Sequence, residues 1–270
     1  MSPLIQKVLY GIIALSIVAI VFVGFHKNFE QVEESKWQPL YGEAKTNPLY
    51  ASKLFLRRMG IPTETIDSLQ DLKELPSTDT VIVISSSRQT LRMEQFNDLL
   101  SWVRNGGHLI VTGVADWQAY FGDALVDEPA DSDGKISADT DPIQDFLNVS
   151  VYGKIEFDEK ESVKINLRGS EYPLEIEADY YRAIVLNDEN QKDGLEQVAI
   201  NNNNLLIRQQ VDEGLITLVA NLDFVDNYNI GKFNHAEILW QLVRGKPATL
   251  GERDLLLPEG VWLIHSEEAA

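Results

Sequence analysis

The chain has 270 residues and a mass of 30.4 kDa, enough for one large domain or two small ones. Its 23 basic and 42 acidic residues give a formal charge of −19, which repels phosphate backbones and argues against nucleic acid as a partner. A content of 44% hydrophobic residues supplies a core, and the absence of cysteine removes disulfides, thiolate metal sites, iron–sulfur clusters and cysteine nucleophiles.

After a short tail at 1–7, Val8–Phe25 (VLYGIIALSIVAIVFVGF) carries no charge. Eighteen helical residues measure about 27 Å, long enough to span a hydrocarbon core. A cleaved signal peptide would have an apolar stretch of about 7–15 residues and a small-x-small site. Here GFHKNFEQ follows, without Ala-x-Ala. The pattern predicts an uncleaved transmembrane helix over 8–25. Lys7 on one flank and Lys27 and Lys36 on the other nearly balance, so charge leaves the orientation open.

Residues 26–46 read as a tether ending in a short first element. Asn47-Pro48 then predicts a capped helix with proline at its first position. Ala51, Leu54, Phe55 and Met59 are spaced as its apolar face, and Gly60 stops it. A short strand is expected over 62–66. Thr80–Ile84 (TVIVI) is an apolar run of the kind buried on both faces of a parallel sheet. Thr90 is positioned to cap a helix with Phe96, Leu99, Leu100 and Val103 on one face, ended by Gly106-Gly107. His108–Thr112 (HLIVT) and Leu215–Ala220 (LITLVA) are further buried strands. Asn234 heads a last helix, with Glu237 placed for a capping-box variant and Leu239, Leu242 and Val243 on its apolar face.

Between these parts lies a different texture. Residues 123–145 hold eight acids against Lys135 alone and read as a solvated loop; Asp131-Ser132-Asp133-Gly134 puts glycine at the wrong place for a calcium-binding EF-hand. A short helix is expected over 142–147. Six short strands follow within 149–208, a β-rich insertion expected to end by adding strands to the edge of the main sheet. Alternating strands and helices predict an α/β domain of three layers with a mainly parallel sheet. It would comprise 47–122 and 209–265, with 123–208 as an acidic loop plus β-rich insertion.

Three blocks carry a family resemblance: NPLYASKLFLRRMG at 47–60, TVIVISSSRQTLRMEQFNDLLSWVRNGGHLIVTG at 80–113, and EGLITLVANLDFVDNYNIGKFNHAEILWQLVRG at 213–245. They resemble the bacterial membrane-protein family catalogued as domain of unknown function 4350. The run from Asp223 through Asn227 to Asn234 favours it over other flavodoxin-like folds. The resemblance implies a class I glutamine-amidotransferase-like, flavodoxin-like fold. It further implies a protein of the bacterial inner membrane with a periplasmic domain, acting beside MoxR-type AAA+ ATPases; the one long apolar run makes a single-pass anchor the expectation. Many relatives carry a second membrane helix after the domain, whereas this sequence stops at Ala270, as expected of either a shortened form or a single-anchor member.

An amidotransferase needs a cysteine after a central strand, and HLIVT is followed by Gly113, Val114, Ala115 and Asp116. Ser85-Ser86-Ser87 lacks the G-x-S-x-G frame of a serine elbow. His26, His108, His235 and His265 have no metal spacing, and His235, at a helix start, is expected to matter through its backbone more than its ring. No metal and no cofactor are expected.

One constellation remains. In a parallel α/β sheet the loops after the strands share one edge, where such folds bind ligands. That edge should gather Ser85, Ser86 and Arg88, the segment 113–117, and Asp223, Asn227 and Asn234, with Asn47 near it. These seven named residues are the candidate ligand-binding set. Helix N-termini and Arg88 would make the edge locally electropositive. The competing reading makes Asn47, Thr90 and Asn234 caps, with Asp223 and Asn227 bracing a loop. The expected function is a non-catalytic binding or scaffold protein of the cell envelope, with a protein partner there. The alternative is a carbohydrate- or peptide-processing enzyme with Asp223 as general base.

Overall fold

The computed structural model describes residues 39–69, 74–88, 91–115, 141–155, 162–177, 181–187, 194–200, 203–244 and 257–266, with four isolated positions nearer the start. The chain divides into two compact units, Met1–Leu40 and Tyr41–Ala270. In the first, Pro3, Tyr10, Leu15 and Ser16 are helical and exposed. The expected span over 8–25 lies otherwise outside the described residues, and no helix among the described residues is long and apolar enough to cross a membrane.

The second unit opens with a 3-10 turn at Gly42–Lys45 and continues α1 (Tyr50–Arg58), β1 (Thr63–Ser68), β2 (Thr80–Ile84), α2 (Met93–Arg104), β3 (His108–Thr112), α3 (Pro142–Leu147) and β4 (Val149–Ile155). Then come β5 (Ser162–Ile165), β6 (Leu174–Glu177), β7 (Tyr181–Leu186), β8 (Leu195–Ile200), β9 (Asn203–Val211) and β10 (Gly214–Val219). A 3-10 turn at Asp223–Val225, α4 (His235–Val243) and β11 (Gly260–Ser266) complete it. Among the described residues, nine strands form one mixed sheet in the order β1-β11-β2-β3-β10-β9-β7-β4, with β8 also on β9. From β1 to β10 all pairings are parallel, and β9, β7, β4 and β8 pair antiparallel. β5 and β6 form a separate hairpin.

Burial on both faces explains the uninterrupted apolar runs. Val81 and Val83 face one core with α1, α4 and the β5–β6 hairpin, whereas Ile82 and Ile84 face the other with α2 and α3. All four are at most 1% exposed, each stabilising the fold by roughly 1.5–3 kcal/mol. The sheet thus lies between two covering layers, the three-layer α/β arrangement expected; of the insertion's strands β4, β7, β8 and β9 continue it, whereas β5 and β6 stand apart.

Three details depart from expectation. β11 had not been expected as a strand, yet it sits inside the sheet, Val261 pairing with both Thr63 and Val81. α1 begins at Tyr50 rather than Pro48 and turns Ser52 and Leu56 inward, leaving Leu54 and Met59 exposed. The inward serine is accommodated because its hydroxyl donates to the Val225 carbonyl. α2 begins at Met93, where Arg92 and Gln95 exchange capping contacts; Thr90 lies outside the described residues.

The end of α2 and the turn before β10 touch backbone to backbone. Leu215 N–H donates to Gly107 O and Glu213 N–H to Arg104 O. A Cβ on Gly214 would lie 1.8 Å from the Val103 carbonyl oxygen and 2.5 Å from that of Gly107. Gly214→Ala is therefore expected to lower stability by about 3 kcal/mol, read by urea denaturation. A loss below about 0.5 kcal/mol would contradict this contact.

Candidate functional site

Parallel β2, β3 and β10 end on one edge, and the loops that follow hold six of the seven candidate residues. The structure separates them into two groups. At the β2 and β3 ends, Ser85 N–H and Oγ both donate to Ile264 O, at 2.9 and 3.3 Å. Arg88 is fully buried, not presented to solvent. Its Nη2 lies 2.7 Å from Asp141 Oδ2 and donates to Thr112 O at 2.7 Å, while Nη1 donates to Ser86 O at 3.1 Å. Ser86 Oγ is enclosed and has no hydrogen-bond partner among the described residues.

Asp141 closes this end from the far side of the acidic run. Its Oδ1 accepts from Ile143 and Gln144 N–H at the start of α3. Gln144 in turn clamps Val114, accepting from its N–H at 2.6 Å and donating to its carbonyl at 3.1 Å. Arg182 of β7 donates to Gly113 O at 2.6 Å. Side chains of the insertion thus engage Arg88 and the backbone just beyond β3 at this end of the edge. Residues 116–140, including most of the acidic run, lie outside the described residues.

At the β10 end, Asn227 joins three segments. Its Oδ1 accepts from Ala51 N–H at 2.8 Å, and its Nδ2 donates to Ala44 O and Asn47 O at 3.0 and 2.8 Å. Asn47, 5% exposed, accepts from Leu49 N–H and donates to Glu43 and Thr65. It forms an Asx turn ahead of α1, which has no side-chain cap of its own. Asp223 is exposed, its carboxylate accepting from Asn221 Nδ2 at 2.9 Å. Asn234 stands at the head of α4 without capping it; its Oδ1 accepts from Glu175 N–H at 2.8 Å and its own N–H donates to Glu175 O. Glu237 accepts from the Tyr172 hydroxyl rather than closing a capping box.

His235 was expected to matter through its backbone, and its ring proves the more informative part. Fully buried, the ring has Nε2 3.0 Å from Glu177 N, an N–H that can only donate. Nε2 is therefore the unprotonated acceptor, and Nδ1–H donates to Asn229 O at 2.7 Å. Burial holds its pKa below the ordinary histidine value, against the Asn229 carbonyl and the Glu177 charge, which pull the other way. Half-buried Asp226 accepts from Tyr228 and Asn229 N–H, both at 2.8 Å, and burial pushes its pKa up. The small depression here is lined by Glu177, Asn221, Asp223, Asn229 and His235 with Ile176 and Phe224. Among the described residues no three His, Asp or Glu side chains are placed to hold a metal ion.

Sequence reasoning passed over Asp141, Gln144, Arg182, Asp226 and Asn229. Asp141-Pro142 ahead of an apolar hexamer was a readable N-cap signal, but its second role, facing Arg88, has no local signature. Asn227→Ala removes three hydrogen bonds and is expected to cost about 2–3 kcal/mol in urea denaturation. Asp223→Ala at the exposed neighbour is expected to stay within about 0.5 kcal/mol. Equal effects of the two would contradict the bracing role of Asn227.

Comparison with known proteins places these features in a family. No curated protein matches the chain. Solved structures similar to it include the exo-beta-1,4-mannosidase Op5Man5 from Opitutaceae bacterium strain TAV5, with 13% identity over 82% of this chain and 34% of the other, TM-score 0.39. Another is a catalytic mutant of Gan42B, a GH42 beta-galactosidase from G. stearothermophilus, with 15% identity over 76% of this chain and 27% of the other, TM-score 0.40. The cytoplasmic protein STM3548 from Salmonella typhimurium shows 14% identity over 79% of this chain and 90% of the other, TM-score 0.41. The chain thus spans only about a quarter to a third of the length of these two glycosidases. Residues 42–243 match the domain of unknown function DUF4350, which covers both groups of loop contacts, and the chain belongs to that family.

Proposed function

We propose that the protein is a membrane-anchored, non-catalytic binding or scaffold protein of the bacterial cell envelope. Its domain would lie on the periplasmic side of the inner membrane and act in an envelope complex with a MoxR-type AAA+ ATPase system. The observation that carries the non-catalytic reading is the employment of the strand-end polar groups. Arg88, Asn47, Asn227 and Asn234, the side chains a substrate would be expected to engage, are spent on internal hydrogen bonds and an ion pair. A side chain already holding two or three backbone groups must break them to bind anything else, at about 1–3 kcal/mol for each buried group left unsatisfied. The uncharged run over 8–25 supports the anchor.

The test is fractionation joined to activity measurement on the same full-length chain. It is expected in the membrane fraction, released by detergent and not by high salt or alkaline carbonate. The detergent-extracted protein is expected to turn over neither glutamine nor chromogenic esters and glycosides. Recovery of an intact-mass species beginning after residue 25 in the soluble fraction would refute the anchor. Turnover that disappears in Asp223→Asn would refute the non-catalytic reading in favour of hydrolysis with Asp223 as base.

A further inference from the structure

We propose that His235 is a proton-sensitive latch: neutral, it pins the β5–β6 hairpin against the sheet, and protonation at Nε2 releases the β6 end of that hairpin. Among the described residues the hairpin has no backbone pairing to the large sheet. It is held by its apolar face and by a set of polar contacts from one stretch of chain, 232–237. Asn234 exchanges two hydrogen bonds with Glu175, Lys232 Nζ lies 2.8 Å from Glu177 Oε1, and Tyr172 donates to Glu237 at 2.7 Å. The His235 ring accepts the last β6 amide, that of Glu177.

Of these contacts, the imidazole bond alone must reverse its polarity when one proton is added. Both ring nitrogens are already assigned: Nδ1–H faces the Asn229 carbonyl, and the Nε2 lone pair faces Glu177 N–H. A proton taken from solvent can enter only at Nε2. Two N–H groups then point at each other, and the Glu177 amide loses its acceptor.

The charged groups around the ring do not cancel this conflict. Glu177 on β6 and Asp226 on the preceding loop favour the cation, whereas Lys232 opposes it; Asp223 lines the same depression. The carboxylates lower the cost of the charge but cannot serve as acceptor for the displaced amide. Phe224 and Phe233 pack against the ring at 5.6 and 5.8 Å between centroids and limit its rotation in place. The direction of the titration follows. The closed form binds the proton less readily than the open form, so latching is complete above the ordinary histidine pKa of about 6.5. It is lost as pH falls below that value toward the lowered one. What opens is apolar: Ile165, Leu167 and Ile176 of the hairpin region face Leu206, Val219 and Phe224 across the seam.

The experiment is amide hydrogen exchange on the full-length chain at about pH 7.5 and about pH 5, corrected for intrinsic rates, in wild type and His235→Gln. Gln keeps an acceptor for Glu177 N–H that does not titrate. Expected is an acceleration of about tenfold or more for amides of 174–177 in wild type at the lower pH, with no matching change in β2 or β3. His235→Gln should show little pH response. Equal corrected rates at both pH values in wild type would overturn the proposal even if the variant failed to fold. An undiminished pH response in His235→Gln would also overturn it, assigning the effect to Asp226 or Glu177. An imidazole titration in wild type, followed by NMR, must share its midpoint with the exchange change; a midpoint above 6.5 contradicts the latch.

Discussion

The domain depends on one buried ion pair. Arg88 and Asp141 are both enclosed, and each does more than neutralise the other. Arg88 gathers the carbonyls of Ser86 and Thr112, holding the loop after β2 against the end of β3. Asp141 starts α3, whose Gln144 fixes Val114 just beyond β3. A buried charge without a partner costs several kcal/mol, so neither residue is tolerated alone. The pair therefore fixes α3, the first described helix of the insertion, against the ends of β2 and β3. It also occupies the edge at which an open α/β sheet offers a crevice.

At the next strand end neutral amides do the corresponding work. Asn227 ties the loop after β10 to the start of α1, and Asn234 ties the start of α4 to the β5–β6 hairpin. The bonds are individually modest but converge on backbone groups that would otherwise be left unpaired. The resulting surface is a set of fastened loops around a small depression.

Much of the fold was readable from pattern because burial on both faces leaves a strong signature. TVIVI, HLIVT and GLITLV are strands whose every residue is enclosed. The insertion strands were readable from short alternating runs between turn residues. β11 escaped because VWLIH is a brief run beyond Pro258-Glu259-Gly260, and nothing local indicates insertion between β1 and β2. The site was less readable, for a physical reason. Asp141 looked like one acid among eight, and only the folded chain carries it to Arg88. His235 looked like a cap neighbour, and only the hairpin arriving from 162–177 gives its ring a partner. Side-chain positions near strand ends could be listed from the sequence, whereas which of them would be used internally depended on contacts distant along the chain.

The most direct measurement is a double-mutant cycle on the buried pair, using Arg88→Met and Asp141→Asn in urea denaturation of the full-length chain. Asn retains the ability to cap α3, so the cycle reads the charge interaction. Each single substitution is expected to cost about 3–5 kcal/mol, and the double substitution clearly less than their sum, because it leaves no orphaned charge. Single effects below about 1 kcal/mol that simply add would show that the pair does not hold the edge closed.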